Sequence, residues 1–197
     1  WPAAVFPEDE GGLAVGYMGL GAIFEAMGRT LAAVPLLSSV ALCGELLLKA
    51  GDAAQRAHWL PGLIGGETRM ALALDERGRH DPSNIKTRAR RQDAGWVLDG
   101  EKWFVMDGIG AQALVVVARV FGSAGQDEGL GLFVVGSDQS GVALSPTLLA
   151  DSRNHARLSL TGVHVAEDQR LGAASDPAQA LDAALDRARA CLAAEAL

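Results

Sequence analysis

Apolar residues recur at helical spacing from Ala14 to about Gly66, take on a strand-like period from Met70 to about Val165, and turn helical again after Leu171-Gly172. In the first zone Leu20, Ile23, Phe24 and Met27 form one stripe, which Leu31 extends. A second segment follows Pro35 and carries Leu37, Val40, Ala41, Leu47 and Leu48. A third starts at Gly51-Asp52, with Asp52 as its N-cap, carries Trp59, Leu60 and Leu63, and stops at Gly65-Gly66. This zone predicts a small helical bundle.

The middle zone contains the runs MALAL, WVLDGEKWFV, ALVVVAR, GLGLFVV, VALSP and ARLSLTGVHV, separated by Gly, Asp and Ser turns. Such spacing fits a compact antiparallel barrel or sandwich. Within Trp96 to Gly108, WVLDGEKWFVMDG, the Asp99-Gly100 pair suits the left-handed positions of a type I′ turn, so its two arms are predicted to pair as a hairpin. In the last zone Asp176-Pro177 opens a helix capped by Ser175 or Asp176. Ala180, Leu181, Ala184, Leu185, Ala188 and Cys191 follow on one face. No internal repeat is present.

The chain has 197 residues, 49% hydrophobic and 21% charged, which is the composition of a folded domain with a sizeable core. A net charge of −7 argues against nucleic acid and against anionic membrane surfaces. Cys43 and Cys191 lack metal or redox spacing and read as buried thiols in a reducing compartment. No apolar run approaches the roughly 18 to 20 residues of a membrane span, and no leader is evident, so a cytoplasmic setting is expected. A start at Trp1 and a stop inside an alanine-rich helical pattern lead us to expect part of a longer protein.

The glycines at 16, 19 and 21 lack the third position of a dinucleotide fingerprint, where Phe24 stands, and read as turns and helix packing. His58, His80, His155 and His164 show no metal-ligand spacing. Alternation along a strand puts Lys86, Arg88 and Arg90 on one face, read as a solvated face or as a local contact for an anionic ligand. No nucleophile elbow or triad can be assembled. The segment from Asp75 to Pro82 packs six ionisable side chains between a strand and an extended stretch, and reads either as an exposed turn or as a ligand-facing loop.

These segments in order resemble the acyl-CoA dehydrogenase family. The carrying residues are Met27-Gly28-Arg29 with Leu31 to Leu36, LLKAGDAAQRAHWLPGL, ALALDE, GWVLDGEK, GLFVV, Gly141-Val142 and LTGVHVAEDQRLG. The resemblance implies an α+β multidomain architecture. It would comprise a partial N-terminal helical bundle at 1–67, a middle antiparallel β-barrel domain at 68–172, and the start of a C-terminal helical bundle at 173–197. It also implies FAD as cofactor, an acyl-CoA substrate oxidised to the 2,3-enoyl thioester, electron-transfer flavoprotein as acceptor, and a homo- or hetero-oligomer. The catalytic base of such members lies in the C-terminal bundle, so no catalytic residue is expected in this chain.

Two flavin-facing strips are implied. The family's Thr-Glu-Pro-Gly-x-Gly-Ser-Asp loop falls, without gaps, on Leu74 to Asp81, and a shift by one would pair Asp75-Glu76 with Thr-Glu. Its Trp-Ile-Thr-Asn-Gly strip becomes Phe104 to Gly108. The cofactor-facing residues are thus Leu74, Asp75, Arg79, His80, Phe104 and Met106. Phe104 keeps an aromatic wall, whereas Met106 replaces a hydroxyl by a thioether, at best a weak acceptor. The departures admit three readings: a divergent dehydrogenase, a structural subunit whose companion holds the flavin, or a flavin oxidase or monooxygenase of the same architecture.

Overall fold

The structure, a computed structural model, describes residues 1–126, 128–151, 153–172 and 176–197. A helical layer covers one face of a mixed sheet. Helix α1, Gly16–Thr30, buries Leu20, Phe24 and Met27, as the stripe predicts. Leu31 does not extend that stripe: it caps the helix in the left-handed region and is 88% exposed. The segment after Pro35 winds as a π-helix, Leu36–Gly44, that buries nearly every side chain and passes into α2, Glu45–Ala50.

Helix α3, Ala53–Gly65, starts on the Asp52 capping box and ends on Gly66 in the left-handed region, as expected. Helix α4, Pro177–Glu195, is capped by Asp176, and Ser175, the other candidate, lies outside the described residues. Its buried face is Ala180, Leu181, Ala184, Leu185, Ala188 and Cys191, the face that the spacing predicts. Both cysteines are buried, and burial pushes the Cys43 thiol up and that of Cys191 up to about 11, so both stay protonated. Among the described residues no helix is long and apolar enough to cross a membrane.

The strands are β1 Met70–Ala73, β2 Arg88–Gln92, β3 Gly95–Met106, β4 Ala113–Arg119, β5 Leu130–Gly136, β6 Val142–Thr147, β7 His155–Ala166 and β8 Arg170–Leu171. They pair in the order β6-β7-β3-β2-β4-β5-β8, with β1 beside β4. The expected antiparallel barrel needs correcting in two respects. Among the described residues the ladder is not closed, and the sheet is mixed, because β1 runs parallel to β4 and Arg88 of β2 pairs in parallel with Arg119. The physical reason is the long connection between β1 and β2, which lets β1 lie alongside β4, where its apolar residues are covered on both faces.

Alternation splits these strands between two cores. Met70, Leu72, Val115, Val117, Leu132 and Val134 face the helices, whereas Ala71, Ala73, Leu114, Val116, Phe133 and Val135 face the inner side of β3 and β7. Ser39 stitches the helical layer to the sheet: its Oγ donates to the Met70 carbonyl at 2.9 Å and accepts the Met70 N–H at 3.1 Å.

The predicted Asp99-Gly100 hairpin is also corrected. Strand β3 runs unbroken through both residues, and the turn lies earlier, between Gln92 and Gly95, with Asp93 at φ 51°. Gly100, at φ 152°, instead sits where the β3–β7 register shifts, and a Cβ there would lie 2.8 Å from the Thr87 Cα. A bulge and a turn ask for the same residue, so the Asp-Gly pair is ambiguous between them.

Candidate functional site

The loop that follows β1 and the second half of β3 lie side by side. The Trp103 N–H donates to the Asp75 carbonyl at 2.8 Å, which joins the two strips directly. Trp103 and Phe104 fall in a second β3–β7 register shift, between Lys102 and Val105. Phe104 takes φ 52°, uncommon for an aromatic residue, and stands edge-on to Trp103 with ring centroids 6.2 Å apart.

Lys102 turns inward and is fully buried. Its Nζ donates to the Leu74 carbonyl at 3.0 Å and to Glu76 Oε1 at 2.7 Å. Glu76 in turn accepts the N–H groups of Lys86 at 2.8 Å and Thr87 at 2.9 Å. Burial pushes the Lys102 pKa down to about 8, against the upward pull of Glu76 and Asp75. Burial also pushes Glu76 up, but the Lys102 charge, its hydrogen bond and the Thr87 N–H outweigh it and hold the carboxyl below its ordinary value.

The six expected residues take different places. Leu74 is 5% exposed, its side chain joins the helix-facing core, and its carbonyl is taken by buried Lys102, so it presents nothing on the loop surface. Asp75 closes the loop on itself: each carboxylate oxygen lies 3.0 Å from His80 Nδ1, and Oδ1 accepts the Asp81 N–H at 3.2 Å. Arg79 extends from the tip and pairs with Asp81 at 3.1 Å. The Ser83 hydroxyl and then the Arg79 guanidinium hold the Asp81 carboxyl below the usual range.

Phe104 is half-buried on the neighbouring strip. Met106, also half-buried, packs against the helix-facing core and lines a cavity of about 150 Å³ with Met27, Pro35, Leu37, Asp107 and Arg153. Asp107, at φ 56°, ties this corner to the helical layer by accepting the Ser38 hydroxyl at 2.6 Å. Asp75, His80 and Arg79 therefore form one group, Phe104 joins it through Trp103, and Met106 belongs to the cavity beneath the helices.

The buried Lys102 and its half-buried partner Glu76 were not singled out by spacing. One signal was available: Lys102 shares strand parity with buried Leu98, an inward position that favours apolar residues. The Lys86 to Arg90 run behaves as expected, with Lys86, Arg88 and Arg90 exposed and Thr87 and Ala89 buried between them.

The donor set can be compared with the demands of a flavin dinucleotide. Arg77, Arg79 and His80 supply positive or donor groups on the exposed tip, suited to an anionic pyrophosphate, and Phe104 supplies an aromatic edge. Leu74 and Met106 supply no side-chain donor. The set fits an anionic group held by the charged tip beside an aromatic edge.

Residues 71–164 match the family model described as acyl-CoA dehydrogenase, middle domain, and residues 1–67 match that of the acyl-CoA dehydrogenase N-terminal domain. The acyl-CoA dehydrogenase FadE12 of Mycobacterium tuberculosis is 31% identical over 97% of this chain and 50% of its own length. Among solved structures, the steroid ACAD Tcur3481-Tcur3483 superposes with a TM-score of 0.89 at 25% identity, over 98% of this chain and 50% of that one. A glutaryl-CoA dehydrogenase of Mycobacterium smegmatis, solved in complex with FADH2, superposes with a TM-score of 0.69 at 25% identity, over 79% of this chain and 39% of that one. The chain spans 34% to 50% of the length of these curated relatives.

Proposed function

The chain belongs to the acyl-CoA dehydrogenase family, and on that footing we propose that it forms the cofactor-facing part of an FAD-dependent acyl-CoA dehydrogenase. The observation that carries this reading is the bond from the Trp103 N–H to the Asp75 carbonyl, which sets the two strips implied for the flavin next to each other. The FADH2 bound to the glutaryl-CoA dehydrogenase neighbour supports it.

In this reading a bound flavin supplies the acceptor for the hydride leaving the β carbon of an acyl-CoA thioester. The residues of this chain bind and orient. Phe104 forms an aromatic wall held in place by the β3 bulge. Arg79 and His80 face the anionic end, with Asp75 fixing the ring orientation of His80. Met106 packs over the helix-facing core at the end of this wall, beside a cavity lined by both polar and apolar side chains. The base that removes the α proton comes from outside this chain, the electrons pass to an electron-transfer flavoprotein, and the protein works as an oligomer.

A second reading, a subunit without flavin that supports a catalytic companion, is favoured by two details. Leu74 and Met106 offer no hydroxyl, and Asp75 is engaged within its own loop. The visible spectrum of the intact purified protein, alone and after incubation with FAD, separates them. Retained flavin absorbance is the expected result, whereas a colourless protein that takes up no FAD overturns the catalytic reading. Turnover of the flavin with oxygen alone, without an artificial acceptor, would place the protein with the oxidases instead.

A further inference from the structure

We infer that Lys102 is the positioning residue of the cofactor-facing loop: its buried ammonium clamps residues 74–76 to β3 and so sets where the exposed tip from Arg77 to His80, itself closed on Asp75, meets a ligand. The inference rests on the flavin reading above and adds to it the group that sets where the loop stands.

The clamp is a chain of directed bonds. Lys102 Nζ reaches the Leu74 carbonyl and the Glu76 carboxylate, and that carboxylate carries the contact on to the Lys86 and Thr87 N–H groups just before β2. Removing Lys102 therefore loosens both the entry to the loop and its junction with β2. At the other end Arg119, buried in β4, donates to the carbonyls of Ile85 at 3.2 Å and Ser83 at 3.4 Å. The loop is gripped at 74–76 and again at 83–87.

Between these grips the tip is exposed. Arg77 takes φ 65°, and a Cβ added at Gly78 would meet nothing within 4 Å. The charged groups facing Lys102 are Glu76, Asp75 and Arg119; the two carboxylates favour its charge and Arg119 opposes it.

An apolar side chain could fill the same space but could not fix the direction of a carbonyl and a carboxylate. Replacing a buried pair by neutral isosteres need not destabilise a fold. Loss of loop position can thus be read separately from loss of stability.

The test uses the intact protein with K102M/E76Q, which removes both charges, and K102R, which restores the cation. Trypsin nicking after Arg77 and Arg79 is followed under native conditions, beside FAD titration and thermal unfolding. The expected result for K102M/E76Q is nicking faster by about tenfold and FAD affinity lower by about tenfold, with a nearly unchanged unfolding midpoint. K102R is expected to recover most of both.

Unchanged nicking in a folded K102M/E76Q would overturn the inference. Faster nicking in a protein that binds no FAD would uphold the clamp and overturn the flavin reading. Amide exchange on the unmutated protein gives an independent result: the Lys86 and Thr87 N–H groups should be protected relative to residues 77–80, and equally fast exchange would overturn the clamp.

Discussion

Strands β4 and β3 lie in the same sheet but are built on different terms. Every residue of β4 is buried, and it pairs with β5 one to one from Ala113↔Gly136 to Arg119↔Leu130. Strand β3 breaks register twice against β7, places Gly100 and Phe104 at positive φ, and buries a lysine. A residue such as Phe104 in the left-handed region costs about 1 to 3 kcal/mol and persists only where the surroundings enforce it. The regular strand serves the core. The irregular one spends part of the stability on bringing the Trp103 N–H to the Asp75 carbonyl in the loop after β1.

Each side of this contrast can be broken separately. The largest effect is expected at β4, where Val116 is 0% exposed in the inner core, paired with Ala73 of β1 and Phe133 of β5. Val116→Asp places a carboxylate there without a partner and should cost about 4 kcal/mol or more, seen as loss of the cooperative urea transition. On the irregular side, Gly100→Val would drive a Cβ to 2.8 Å from the Thr87 Cα. A loss of about 2 to 3 kcal/mol is expected, measured as a lower urea midpoint with an unchanged slope. An unaffected Gly100→Val would mean that the bulge is not constrained by the Thr87 backbone.

The same contrast explains what could be read from residues alone. The β4, β5 and β7 runs and the α3 and α4 boundaries follow from period and capping, because burial on a regular element repeats along the chain. Asp99-Gly100 was misplaced because a glycine at positive φ serves a bulge as well as a turn, and only the long-range pairing with β7 distinguishes them. Leu31 fits a helical stripe by spacing, yet its left-handed cap turns it to solvent. The parallel seat of β1 beside β4 depends on contacts across forty residues that no local window holds.

In the candidate site, the loop and the aromatic position were legible through the order of motifs. The Lys102 to Glu76 bond was not, since its partners are separated by 26 positions and nothing in either neighbourhood names the other.

A smaller effect concerns pH. The folded pKa of Glu76 lies below its ordinary 4.5, so its contribution is present above that value and lost as pH falls through the folded pKa. The folded pKa of Lys102, about 8, lies below its ordinary 10.5. The unfolded chain therefore binds more protons between those two values, and the stability from this group rises with pH across that window. Urea unfolding at a series of pH values should show both trends in the parent protein and neither in K102M/E76Q; parallel curves would remove the pair from the account.

The smallest structural change bears on the central claim, that the second half of β3 faces a flavin. Met106→Thr restores a hydroxyl at the edge of the 150 Å³ cavity while the strand and its pairing with His155 remain. The measurement is the visible flavin spectrum and flavin content of intact Met106→Thr beside the parent. A shifted band or a higher flavin content is predicted, and an identical spectrum with identical content would contradict it.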